Sequence, residues 1–269
     1  MLQYPGFNPI AIEIGPVKVH WYGIMYLIGF AGAWWLARIR AARPGSTWKA
    51  VDVDDLIFYD MLGVIFGGRI GYVLFYGLTF WRHDWLYPFK IWDGGMSFHG
   101  GLLGVITAMT LYAWRNGRNV LDVYDFTAPL PAFGLFFGRI GNFINGELWG
   151  KPTTVPWGFN YNGVVRHPSQ LYEACLEGIL LFTVLWIFSS RPRPRWAISG
   201  LFLVIYGASR FFLEFWRLPD EHIGYLFNTG WVTMGQVLSF PMILAGLIFL
   251  VLAYRSRTSS GNYAVPQPQ

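Results

Sequence analysis

The chain has 269 residues, 54% of them hydrophobic and only 13% charged, with a formal net charge of +5. A soluble domain carries about 25% charged residues, so the composition excludes an ordinary soluble domain in favour of a polytopic helical membrane protein, and the positive balance reports topology rather than nucleic-acid binding. The single cysteine, Cys175, excludes an internal disulfide and a cysteine-rich metal site.

Residues 1–18 are punctuated by Pro and Gly, with Lys18 the only base, and no cleavable signal peptide is expected because further spans follow the first apolar run. Apolar runs approaching or exceeding the ~20 residues that cross a bilayer predict spans at about 19–37, 56–78, 95–114, 125–145, 170–188, 197–213 and 231–253. Pro129 and Pro131 predict a bend in the fourth. Between the fourth and fifth lies a polar Pro/Gly-rich segment, 146–168, and a polar tail, 256–269, is expected to be disordered. The fold class is thus all-α: one seven-helix membrane domain over 1–255 with a small periplasmic head.

Basic residues orient it. Loops after spans one, three, five and seven hold Arg38, Arg40, Arg43, Lys49, Arg115, Arg118, Arg191, Arg193, Arg195, Arg255 and Arg257. The opposite loops hold Lys18, Arg82, Lys90, Lys151, Arg166 and Arg217. The excess marks the cytoplasmic side, which puts the N-terminus outside and the C-terminus inside.

Three arginines remain within the spans: Arg69, Arg139 and Arg210. Such an Arg costs ~2.5 to more than 10 kcal/mol unless it is paired or reached by water. Arg69 and Arg139 each follow an inner-side Asp by fourteen residues, about 21 Å at the helical rise. Arg210 and His99 reach nearly the same level, in the outer half. His20 and Tyr22 open span one at that end, and Asn142, Glu147 and Glu214 lie just above. With few acids expected at that depth, the arginines ask for an anion, either Glu147 and Glu214 folded back or a ligand; a phospholipid phosphate suits Arg's bidentate fork. The glycine pairs Gly63/Gly67/Gly71, Gly100/Gly104 and Gly134/Gly138 predict close helix packing. An echo at an offset of 70 residues, Asp55…Gly68-Arg69-Ile70-Gly71 against Asp125…Gly138-Arg139-Ile140-Gly141, is either a parallel repeat or chance similarity.

His99 is the best placed base, since an imidazole of pKa ~6.5 suits removal of a thiol proton of pKa ~8.5; the alternative is a hydrogen-bonded structural histidine. His167-Pro168-Ser169-Gln170-Leu171-Tyr172-Glu173 reads as a helix start, with substrate contact as the alternative. No HExxH, GxSxG or P-loop pattern is present.

Several stretches together resemble the bacterial phosphatidylglycerol–prolipoprotein diacylglyceryl transferases: His20-Trp21-Tyr22-Gly23, the run from Trp92 to Gly101, the signature 138–150, the run from His167 to Glu173, and Tyr206-Gly207…Arg210…Glu214-Phe215-Trp216-Arg217. The resemblance spans about 5–255. It implies a multi-pass enzyme of the bacterial inner membrane, with its active site in the periplasmic-side half. This transferase would move the diacylglyceryl group of phosphatidylglycerol onto the lipobox cysteine of a preprolipoprotein, the first step of lipoprotein maturation, leaving a thioether and glycerol phosphate. It also implies that Arg139 and Arg210 are essential and that His99 and Tyr22 belong to the active region. The expected catalytic set is His99, Arg139 and Arg210. Substrate contacts are expected from Arg139, Asn142, Glu147, Tyr22, His20, Arg69, Tyr206, Glu214 and Arg217. An arginine-held thiolate, or Glu147 as base, would explain the same residues as His99, and no metal or organic cofactor is needed. The rival classes are a transporter or channel for an acidic solute and a structural protein held by glycine packing.

Overall fold

A bilayer offers the backbone no hydrogen-bond partners, so apolar segments must satisfy their own, and helices dominate this chain. The computed structural model describes residues 1–15, 17–90, 94–219, 224–256 and 258–263. Trp92 and Asp93 of the expected motif, Arg257 and the last part of the tail lie outside them. The chain divides into two compact units: one comprises Met1–Leu36 and Asp125–Ser260, the other Ala37–Tyr124 and the segment beginning at Gly261.

In the first unit, the strands β1 (Leu2–Gln3), β2 (Ile10–Ile14) and β3 (Val17–His20) precede α1 (Trp21–Ala41), which runs on past the boundary. Helix α5 (Val120–Thr127) enters the unit and meets α6 (Leu130–Asn145) at a 43° bend. The bend falls at Pro129 and Pro131, where the ring removes a backbone donor and the helix breaks. β4 (Phe159–Tyr161) and β5 (Val164–Arg166) follow, then α7 (Ser169–Glu173), a π-helical stretch (Ala174–Leu180) and α8 (Leu181–Phe188), together one helical rod. α9 (Ala197–Leu213) and α10 (Met234–Ser256) pack on each other. Their crossing is close because a Cβ at Gly200 would stand 3.0 Å from the Gly246 carbonyl oxygen. Ala132, Leu181, Leu185 and Ile198 form the buried apolar centre.

The second unit holds α2 (Ala50–Phe75), α3 (Leu78–His83) and α4 (Phe98–Arg115). Here the glycine spacing does what it predicts. A Cβ at Gly67 would lie 2.7 Å from Gly104 Cα, and one at Gly71 would lie 2.7 Å from Gly100 Cα, so α2 and α4 touch backbone to backbone. Gly134/Gly138 is different: nothing lies within 4 Å of a Cβ at either, and the close approach there is set from α1, where a Cβ at Gly29 would lie 3.1 Å from Gly134 Cα.

Among the described residues, three helices are long and apolar enough to span a membrane, Ala50–Phe75, Ser169–Phe188 and Met234–Ser256, with a fourth if the bent α5–α6 pair is one span. The all-α expectation needs one correction, the five short strands among the described residues. β1 pairs parallel with β4 and β4 antiparallel with β5, while β2 and β3 form a separate hairpin. Residues 1–18 and the 146–168 segment therefore hold short strands within otherwise irregular chain. The polar stretch 258–263, where composition predicts disorder, is tied by hydrogen bonds from Arg195 N to the Thr258 carbonyl, from Thr47 Oγ1 to the Gly261 carbonyl, and from the Trp48 ring to Asn262.

Candidate active site

Helix α6 carries Arg139 and Asn142 and stops at Gly146, whose φ of +70° is the left-handed turn that ends helices. The Tyr4 hydroxyl donates to the carbonyls of Phe143 (3.0 Å) and Ile144 (2.8 Å), covering the last turn. The chain then doubles back through Leu148, at φ +57°. Ser169 Oγ donates to the Leu148 carbonyl at 2.6 Å, the Gln170 amide to the Glu147 carbonyl, and Gly150 N to the His167 carbonyl at 2.9 Å. Gly150 has no room for a side chain, as a Cβ would stand 2.5 Å from the Trp216 carbonyl oxygen. The His167–Glu173 motif thus starts a helix and braces the signature loop. His167 Nδ1 lies 3.1 Å from the Tyr172 hydroxyl, and burial pushes its pKa below the ordinary value.

Asp125 plays the matching part for α9. It is fully buried and accepts from Trp196 N (2.8 Å), Ser199 N (2.8 Å) and Ser199 Oγ (2.6 Å). A carboxylate there satisfies orphan donors and favours the positive end of the helix. It fixes where α9 begins, and so where Arg210 ends up.

These supports bring together three arginines and three glutamates. Arg139 Nε is 2.7 Å from Glu173 Oε2, and its Nη2 is 3.2 Å from Glu177 Oε2. Arg210 Nη1 is 3.4 Å from Glu173 and 3.5 Å from Glu177, and its Nη2 is 2.7 Å from Glu214. Arg217 pairs with Glu173 and, at 3.2 Å, with Glu214. The expectation that these arginines lack acids is corrected: span five supplies two carboxylates. Glu177 was legible as the second acid of an i, i+4 pair in an otherwise apolar run, a spacing that puts both on one helix face. Glu214 does fold back as one alternative had it. Glu147 does not: its exposed carboxylate accepts from Asn142 (3.3 Å) and Asn145 (3.1 Å).

Exposure is uneven in the cluster. The side chains of Glu173 and Glu177 are 0% exposed and that of Glu214 is 4%, while Arg139, Arg210 and Arg217 keep 18%, 19% and 13%. The carboxylates form a covered wall and the guanidinium groups stand in front of it. The Tyr22 hydroxyl donates to Tyr26 at 3.0 Å and is within electrostatic range of Glu147 and Arg139. Tyr206 stacks on Phe202 and is within range of both glutamates of α7 and its π-helical continuation. His20, at the end of β3, is exposed.

Arg69 and His99 belong to the second unit. Arg69 is buried and spends its donors on the carbonyls of Pro88 (3.1 Å), Tyr87 (2.6 Å), Gly94 and Gly95 (3.3 Å), with the Tyr87 ring 4.7 Å away. His99 is exposed in the first turn of α4, beside the Ser97 cap, with the Phe98 ring against it.

The sequence profile of the family described as prolipoprotein diacylglyceryl transferase matches residues 9–252. The chain belongs to that family. A phosphatidylglycerol–prolipoprotein diacylglyceryl transferase of Oleidesulfovibrio alaskensis is 56% identical over 259 residues, covering 95% of this chain and 97% of its own length. Proteins of the same name from Nitratidesulfovibrio vulgaris and Azotobacter vinelandii are 57% and 54% identical, covering 93% and 95% of this chain and 96% and 97% of their own lengths. A transporter for acidic solutes finds no support in this kinship.

Proposed function

We propose that this protein transfers the diacylglyceryl group of phosphatidylglycerol to the lipobox cysteine thiol of preprolipoproteins. The observation that carries the reading is the arginine face: guanidinium groups from α6 and α9 that share the covered carboxylates of Glu173 and Glu177 and stay partly exposed. The family membership and the names of the relatives support the same reaction.

The sulfur attacks the glyceryl carbon as the carbon–oxygen bond breaks, and the electron pair leaves on the phosphate oxygen. Glycerol phosphate departs with the added charge, so the site must stabilise negative charge at the phosphate. Arg139 and Arg210 supply it from a preorganised, poorly hydrated position, where such groups act most strongly. Asn142 and Asn145 hold the Glu147 carboxylate toward the headgroup glycerol, which orients the lipid. Tyr22, Tyr206, His20, Glu214 and Arg217 complete the substrate contacts, and Arg69 acts by fixing the loop around Gly94 and Gly95. The thiol proton goes to a base, His99 as the family resemblance implies or Glu147, which shares a unit with the arginines.

On this reading residues 1–255 form one membrane domain of seven spans in the bacterial inner membrane. Its N-terminus is outside, its C-terminus is cytoplasmic and its site lies in the periplasmic-side half; the unequal loop charges support that orientation. The lipid enters from the bilayer and the lipobox peptide from a signal-peptide helix beside it.

Arg139→Ala, inserted and folded, should lose about 10²–10³-fold in the rate of lipidation of a lipobox peptide in phosphatidylglycerol vesicles. Mass spectrometry of the peptide reads the result: a diacylglyceryl adduct with wild-type enzyme, and wild-type yield with the variant would refute the role.

A further inference from the structure

The cluster of Arg139, Arg210, Arg217, Glu173, Glu177 and Glu214 is formally neutral as it stands. A phosphatidylglycerol headgroup brings one more negative charge. Away from water an uncompensated charge costs several kcal/mol, so either a carboxylate must leave or a proton must arrive. Leaving is closed to Glu173 and Glu177, whose side chains have no exposed surface.

The three glutamates are not equally held. Glu173 touches all three arginines, with Arg139 at 2.7 Å. Glu214 has Arg210 at 2.7 Å and also accepts from Thr233 Oγ1 at 2.7 Å. Glu177 has Arg139 at 3.2 Å and Arg210 at 3.5 Å, the longest contacts of the three. Once a phosphate draws the two arginines toward itself, Glu177 is the carboxylate with the least left to stabilise its charge.

We propose that Glu177 takes up a proton when the anionic headgroup binds, so that the site accepts phosphatidylglycerol and a proton together. This rests on the proposed function and deepens it. The groups facing Glu177 are Arg139 from α6, Arg210 and Tyr206 from α9, and Glu173 one turn back on its own rod; α8 offers no titratable side chain. Its place in the π-helical stretch fits, since such widened turns recur at functional positions. Affinity for the anionic lipid then falls about tenfold per pH unit wherever free Glu177 is ionised, as linkage of one proton requires.

The test is calorimetric titration of phosphatidylglycerol into the detergent-solubilised full chain, in buffers of differing ionisation heat, which counts protons taken up per lipid bound. The wild type should take up about one. Glu177→Gln, a permanent mimic of the protonated acid, should take up none and bind with an affinity flat in pH, while Glu177→Asp should restore uptake. Lipid binding by the wild type without proton uptake overturns the inference and leaves the proposed function standing, and so does undiminished uptake in Glu177→Gln. No phosphatidylglycerol binding at all would overturn both. If the glutamine variant fails to fold, the wild-type proton count still decides the matter.

Discussion

Arg69 and Arg139 sit in near-identical sequence, Gly-Arg-Ile-Gly after an apolar run, seventy residues apart, and the structure gives them opposite partners. Arg69 is wrapped by backbone carbonyls, which are fixed dipoles that cannot move aside for a ligand. Arg139 faces carboxylates, whose charge a phosphate can replace. A guanidinium that donates to four backbone carbonyls holds a loop together; one paired ionically and left partly open can trade its partner for a substrate. The echo is therefore no functional repeat. Asp55 is exposed in the first turns of α2, while Asp125 is buried at the start of α9.

The sharpest way to break the contrast is through the shared acid. Glu173 is the hub of the arginine cluster, and removing one partner of a buried ionic network costs about 3–5 kcal/mol. Glu173→Ala should lose that much stability against denaturant in detergent, and removing Arg217 as well should recover part of it. A loss below about 1 kcal/mol, the range of exposed pairs, would mean the cluster is well hydrated rather than a covered, neutral network.

Arg69 supplies the next comparison, at smaller cost. Arg69→Met leaves the carbonyls of Pro88, Gly94 and Gly95 without this donor, while that of Tyr87 keeps Lys90 N at 3.1 Å. Each buried unsatisfied group costs about 1–3 kcal/mol, and several here can turn to water, so a total near the bottom of that range is expected. It should appear as a lower unfolding midpoint and faster protease cleavage around residues 84–90. A raised KM for phosphatidylglycerol with an unmoved midpoint would instead place Arg69 beside Arg139 as a lipid-binding residue.

What was legible follows from the range of the interactions involved. The helices were, because a long apolar run declares itself locally: α9 matches its expected bounds, 197–213, and α6 ends at the predicted Asn145. So was the bend at Pro129, for the same reason. The strands were not, since Leu2 pairs with Phe159 and nothing near Leu2 announces a partner that far along the chain. At the site, Arg139, Arg210, Glu214 and Arg217 could be singled out as charges or motif residues in apolar surroundings. Glu177 has a single local sign, its place four residues after Glu173 on the same helix face. The widening of that helix into a π turn has no local signature, and neither does the choice of Gly104 as the neighbour of Gly67 and of Gly29 as the neighbour of Gly134.

The smallest expected effect concerns the brace behind the signature loop. Burial holds the His167 pKa below its unfolded value of about 6.5, so the unfolded chain binds a proton more readily than the folded one. Stability is therefore complete above about pH 6.5 and declines as the pH falls from there toward the lower folded value. The joint involved is local: Gly150 N donates to the His167 carbonyl, and His167 N donates to the Lys151 carbonyl. Amide hydrogen exchange at Gly150 and His167, corrected for the intrinsic pH dependence, should speed up over that window. In His167→Gln, which keeps a polar side chain near Tyr172 but cannot titrate, the acceleration should vanish. The contrast with the arginine cluster then becomes quantitative: protonation at His167 loosens a support, whereas protonation at Glu177 accompanies the binding of substrate. If lipid affinity followed the His167→Gln substitution rather than Glu177→Gln, the pH dependence would belong to the brace and not to the site it supports.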